Sequence, residues 1–146
     1  MRVTDAISFD EYWNDDRFQN KKPELGKSAK HFFGDNIYYD VIEGKSAIQV
    51  NSHHSLANGA TNHLNLNRDI GSNRVLLSDD YIYFGKDARK PPKDLQCFNG
   101  VDFPTDVRNY QNCYQEPHIH RIVEWLRSFP EWGLLGIPEA WKNPYA

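Results

Sequence analysis

Ser52-His53-His54-Ser55 is the run of this sequence best equipped for proton chemistry. Histidine is the side chain that changes charge closest to neutral pH, so His53 and His54 are the candidate acid/base groups. Asn62, Asn65 and Asp69 follow. With Ser52 and Ser55 they supply short-range donors and acceptors that suit a base edge, a ribose or a phosphate. The same side chains also satisfy loop backbone, and that plainer use stays open.

Other chemistries find less support. His53, His54, His63, His118, His120 and Asp69 are enough ligands for zinc. Adjacent histidines point in different directions in regular structure, however, and neither Cys97 nor Cys113 sits in a C-x-x-C pair. His118-Ile119-His120 is not an H-E-x-x-H motif. No metal site is expected, and no cofactor can be named. No G-x-S-x-G elbow surrounds Ser52 or Ser55, and no cysteine signature surrounds Cys97 or Cys113. Asp79-Asp80 reads first as a turn and only second as an acid/base pair. Lys86, Arg89, Lys90 and Lys93 form a basic strip that could meet phosphates or simply be solvated. Tyr38, Tyr39, Tyr81, Tyr83 and Phe84 lie on expected strands, where alternate residues face opposite sides. One set is expected in the core; the other could stack on a base.

The elements that would position these groups can be read from pattern. Ser8 and Glu11 make a capping box for a helix over 8–19, ended by Lys21-Lys22-Pro23. Asn36–Ile42 and Ala47–Val50 flank Glu43-Gly44-Lys45, a first hairpin. Residues 51–73 then lose all periodicity. So long a polar segment inside a compact domain is usually functional or disordered, and Leu56, Leu64, Leu66 and Ile70 suggest that this one packs down. Arg74–Ser78 and Tyr81–Gly85 flank Asp79-Asp80, an expected second hairpin. Residues 86–117 are loop-rich, with a short helix expected near 105–112. Ile119, Ile122, Val123, Leu126 and Phe129 mark a helix over 118–129, with Pro117 before it and Pro130 after it. His118 and His120 are expected as polar residues of its first turn. The tail from Gly133 reads as an irregular cap.

The bulk numbers bound the rest. A chain of 146 residues is one ordinary domain, able to bury a core without staples. Its 13 asparagines and 14% aromatics predict many loops pinned by rings. The net charge of −3 argues against non-specific duplex DNA binding, which needs a basic surplus. No stretch approaches the roughly 20 apolar residues of a membrane span, and no signal-peptide pattern opens the chain. Two lone cysteines fit reduced thiols. A cytoplasmic protein is expected.

Five segments occur in a characteristic order: YWNDDRFQNKKP, FGDNIYY, NSHHSLANG, RVLLSDDYIYFGKDARKPP and WGLLGIPEAW. Over about residues 10–141 the chain thereby resembles the nucleotide modification associated domain 2 family, found mostly in phage and bacterial genomes near enzymes that alter DNA bases. The positions that fit the family's polar motifs are Gly34, Asp35, Asn36, Tyr38, Ser52, His53, His54, Ser55, Gly59, Asn62, Ser78, Tyr83, Phe84 and Gly85. The chain departs from the pattern at Ile70, where the family has threonine, and at Arg89, where it tends to have proline. The resemblance implies a nucleotide or modified base as partner, a link to DNA modification or anti-defence, and host cytoplasm if phage-encoded.

The combined expectation is an α+β single domain with a bent or barrel-like antiparallel sheet and flanking helices. It would bind a nucleotide through Asn36, Tyr38, Ser52, Ser55, Asn62, Asp69, Tyr83, Lys86 and Arg89, with His53 or His54 as the proton-transfer group. Whether the ligand is converted is left open. The rival expectation is a non-catalytic protein that sequesters a signalling nucleotide or blocks a host factor. A homo-oligomer is compatible with either.

Overall fold

The computed structural model describes residues 1–98, 101–102 and 114–138. The α+β expectation holds. The sheets are small, each of two strands, and none closes into a barrel among the described residues. The described chain falls into two compact units, Arg2–Asp79 and residues 80–138.

In the first unit, β1 (Asp5–Ile7) leads into α1 (Phe9–Asn14). The expected capping box is present: the Glu11 amide donates to Ser8 Oγ at 3.2 Å, and the Ser8 amide to Glu11 Oε2 at 2.7 Å. The helix is shorter than expected. Asp15 turns extended, and its carboxylate takes the Arg17 amide and guanidinium. Short polar side chains that bond their own backbone compete with helix, and Asn14-Asp15-Asp16 is such a run. A separate 3₁₀ helix then spans Asp16–Lys21, and α2 is a single turn, Ala29–Phe32.

The first hairpin forms as expected from β2 (Tyr38–Ile42) and β3 (Ser46–Gln49). It bulges at Asp40, whose φ is +51°. The Asp10 carboxylate holds this bulge, accepting from the amides of Asp40 at 2.5 Å and Val41 at 3.2 Å. Gly34 precedes β2 for a steric reason. A Cβ there would overlap the Lys21 carbonyl, the same carbonyl that accepts the Asn36 amide at 3.1 Å. The 51–73 stretch is not loop throughout, since α3 spans His63–Asp69 and packs against β3. Leu66 and Ile70 from this helix join Ile37, Tyr38 and Val41 in the core, with Phe9, Ala47 and Val50 around them.

The second hairpin does not form. β4 (Val75–Leu77) pairs antiparallel with β1, Ile7 opposite Val75. β5 (Ile82–Tyr83) pairs parallel with β8 (Gly133–Leu134) in the other unit. Two-residue hairpin turns favour positive φ and hence glycine or asparagine, which Asp79-Asp80 does not offer.

Residues 80–138 also hold α4 (Lys93–Gln96), a minimal pair β6 (Cys97–Phe98) and β7 (Val101–Asp102), and α5 (Glu116–Arg127). Pro117 sits in the first turn of α5, where its missing N–H costs nothing. His118 stands in the first turn as expected, but not at the surface. It is fully buried, and its Nε2 donates to the Leu95 carbonyl at 3.0 Å. Ile119 and Val123, two of the apolar positions that mark this helix, are each 45% exposed. The helix expected near 105–112 and Cys113 lie outside the described residues.

Candidate functional site

The chain leaves β3 at Val50 and enters a turn that its two serines stitch together. The Ser52 amide donates to Ser55 Oγ at 3.0 Å, the His54 amide to Ser52 Oγ at 3.2 Å, and Ser55 Oγ to the Val50 carbonyl at 3.2 Å. This is why the histidines stand between serines: the hydroxyls fix the backbone that carries the imidazoles. Asn62 then caps α3, its Oδ1 accepting from the amides of Leu64 and Asn65 at 3.1 and 3.3 Å. Its own amide is held by Gln49 Oε1 at 2.9 Å. Asn65, one turn along the helix, reaches back to the His54 carbonyl at 2.9 Å. The serine turn and the helix are thereby locked together.

That lock brings His54 to Asp69. His54 Nδ1 and Asp69 Oδ2 are 2.8 Å apart. Tyr38 Oη donates to the same oxygen at 2.8 Å, and Arg68 Nε to Oδ1 at 2.9 Å. Gln49 Nε2 in turn donates to Tyr38 Oη at 3.2 Å. Burial tends to raise the Asp69 carboxyl, but the bonds from Arg68, Tyr38 and His54 outweigh it and hold the group below the usual carboxylate range. Burial first, then the Asp69 bond, push the Tyr38 phenol up, so it remains a donor. An ionised carboxylate only accepts, so the proton of neutral His54 is on Nδ1. Nε2 is then the lone-pair nitrogen, on a side chain 31% exposed. A carboxylate-oriented imidazole of this kind is equipped to accept a proton and return it.

His53 differs. Its ring lies against Phe33, centroids 5.2 Å apart, and against His54 at 4.4 Å. Burial and the neighbouring His54 keep it below the ordinary histidine value, hence neutral. Its Nδ1 is buried with no partner among the described residues. His53 is packed as a ring, whereas His54 is hydrogen-bonded to a carboxylate.

The remaining candidates are placed as follows. Asn36 is fully buried, and its Nδ2 donates to the carbonyls of Tyr12 at 2.9 Å and Phe18 at 3.3 Å, tying β2's approach to α1. Tyr83, Lys86 and Arg89 belong to residues 80–138. There the Tyr83 carbonyl accepts from Leu135, and the Lys86 amide donates to Ile137. Arg89 lines a pocket of about 290 Å³ with Phe84, Asp87, Phe129 and Glu131. Pattern reasoning passed over Gln49 and Arg68. The only signal for Arg68 was its place beside Asp69, and Gln49 gave none. Among the described residues, no group of three or more His, Cys, Asp or Glu side chains is arranged to hold a metal.

A family model covers residues 1–144 of the chain. The chain belongs to the nucleotide modification associated domain 2 family. Membership spans essentially the whole sequence, wider than the 10–141 on which the resemblance rests. It carries a nucleotide-modification-associated role and a nucleotide-related partner. No match was found among curated proteins or among solved structures. Among the described residues no helix is long and apolar enough to cross a membrane.

Proposed function

We propose that this family member binds a nucleotide or modified base at the His54–Asp69 pair, with His54 Nε2 exchanging a proton with the bound molecule. The observation that carries this reading is the 2.8 Å contact that fixes His54 in one tautomer on an ionised carboxylate. Nucleotide context comes from the family. In this reading Tyr38, Gln49 and Arg68 position Asp69, while Ser52, Ser55 and Asn62 position the backbone around His54. Lys86 and Arg89, both exposed, are a separate candidate phosphate contact within residues 80–138 and no part of the His54–Asp69 site. The test is mass spectrometry of the nucleotide pool released from purified protein, followed by incubation of that pool with fresh protein. His54→Ala should stay folded, with a melting temperature lowered no more than by Tyr38→Phe, and lose product formation. Unchanged product formation in His54→Ala would sink the proton-transfer role.

A second reading, sequestration without conversion, is favoured by the serine hydroxyls. Both are committed to backbone bonds, which leaves the site without a free hydroxyl nucleophile on that turn. It predicts that His54→Ala lowers affinity and that no product forms with either protein.

A further inference from the structure

A separate pocket of about 240 Å³ lies in the same unit, walled by Phe9, Tyr12, Asp35, Arg74 and β4 from Val75 to Leu77. None of these residues takes part in the His54–Asp69 contacts. The two charged residues are opposite in sign, yet they do not pair with each other. Among the described residues, the Arg74 guanidinium has no acidic partner and the Asp35 carboxylate no basic one. Asp35 is instead fixed by a neutral donor: Tyr12 Oη donates to its Oδ1 at 2.9 Å. Burial, then the nearby Asp35 charge, push the Tyr12 phenol up, so this donor persists across the neutral range. Phe9 supplies an apolar wall and is itself held edge-on by Tyr38, centroids 5.7 Å apart.

The chemistry of such a wall is selective. An ionised carboxylate accepts and cannot donate, and it offers about four lone-pair sites, of which Tyr12 uses one. Guanine presents two adjacent donors on its pairing edge, N1–H and the N2 amino group. Adenine and cytosine set an acceptor nitrogen beside their amino group. Uracil and thymine flank a single N–H with carbonyls. Against a carboxylate, each of those four puts a lone pair opposite a lone pair. An unpaired arginine is the matching partner for a phosphate. The volume falls below the roughly 300–1,000 Å³ of drug-sized sites, which suits a base held inside with its phosphate at the rim.

We propose that this pocket is a guanine-nucleotide subsite, in which Asp35 accepts from the N1–H and N2–H edge and Arg74 holds the phosphate. The proposal rests on the nucleotide-binding reading above for its class of ligand and adds a second subsite, with a stated base, to the same unit. Binding of GMP, AMP, CMP and UMP to the full chain by calorimetry tests it. GMP should bind tighter than the others by roughly tenfold or more, the worth of hydrogen bonds to a charged group. Asp35→Asn can still accept from Tyr12, but its amide now donates. It should lose the preference for GMP and gain affinity for xanthosine monophosphate, whose C2 carbonyl accepts. Arg74 is exposed, and Arg74→Ala should weaken GMP while leaving guanosine unchanged. If Asp35→Asn does not fold, the split between GMP and guanosine in Arg74→Ala decides. Equal binding of all four nucleotides, or a GMP preference that survives Asp35→Asn, overturns the subsite while nucleotide binding stands. Absence of binding by any nucleotide overturns the preceding reading and this one with it.

Discussion

Residues 49–69 and residues 80–89 both carry candidate ligand-binding side chains, and they are built on opposite principles. In the first stretch, side chains bond side chains: Gln49 to Tyr38, Tyr38 to Asp69, Asp69 to His54 and Arg68. In the second, the candidates Tyr83 and Lys86 are held through their backbones, while the side-chain bonds belong to their neighbours, Asp80 with Arg127 and the Phe84 ring on Phe129. Gly85, with φ +56°, lies so close to Gly136 and Ile137 that a Cβ would overlap the Ile137 carbonyl. Tyr83, Lys86 and Arg89 project from that frame, each exposed. The first region can hold one imidazole in one tautomer. The second can present charge without fixing it.

The comparison is sharpest at Gly85. Gly85→Ala should be the most destabilising change, through both backbone strain and overlap with main-chain atoms, by about 1–3 kcal/mol or more. Chemical denaturation measures it, and a change under half of that would mean the backbone frame yields. Asp69→Ala comes next. It strands a buried phenol and the His54 N–H, and should cost about 1–3 kcal/mol and abolish the proposed proton transfer. A fully active Asp69→Ala would break the idea that His54 needs its carboxylate. Tyr38→Phe removes one of three donors to Asp69 and should cost about 1 kcal/mol. It should also raise the Asp69 carboxyl, visible by NMR titration. Lys86→Ala and Arg89→Ala should leave stability within about 0.5 kcal/mol while weakening any phosphate-dependent binding. A large loss of stability in either would show that these candidates, too, depend on side-chain bonds.

The pH dependence bears on His53 and Asp69. His53 is held below the ordinary histidine value of 6.5 in the folded state, so the unfolded chain binds more protons there. Its neutral packing therefore favours the fold at high pH, and that contribution falls as pH drops through about 6.5. Asp69 is shifted down from 3.8, so its contribution is present above that value and lost only below it. His53→Phe should flatten the stability profile between pH 7 and 5. A profile identical to that of the parent protein would mean that His53 does not titrate with folding.

Much of the first unit was legible from local signals. Ser8 and Glu11 announced a helix start, and Tyr38–Ile42 with Gly44 announced a hairpin, because capping and turn chemistry act over a few residues. The polar run around His53 and His54 stands out as a candidate site by its composition. The second hairpin was misread because each strand looked right alone, and pairing is decided by what lies across the sheet. Cap and loop residues hid α3: Asn62 reads as loop until its Oδ1 is seen on two amides.

The sequence alone determined the family and the α+β character, and singled out the stretch proposed here as the site, since residue order and short-range periodicity are written in it. Only the tertiary structure decided that His54 rather than His53 is the oriented imidazole. Neighbours in sequence differ there because one ring meets the Asp69 carboxylate, 15 positions away, and the other meets Phe33. It alone also gave Asp35 and Arg74 a common pocket. Partners far apart in the chain leave no spacing to read, and it is the packed core between them that sets the distance.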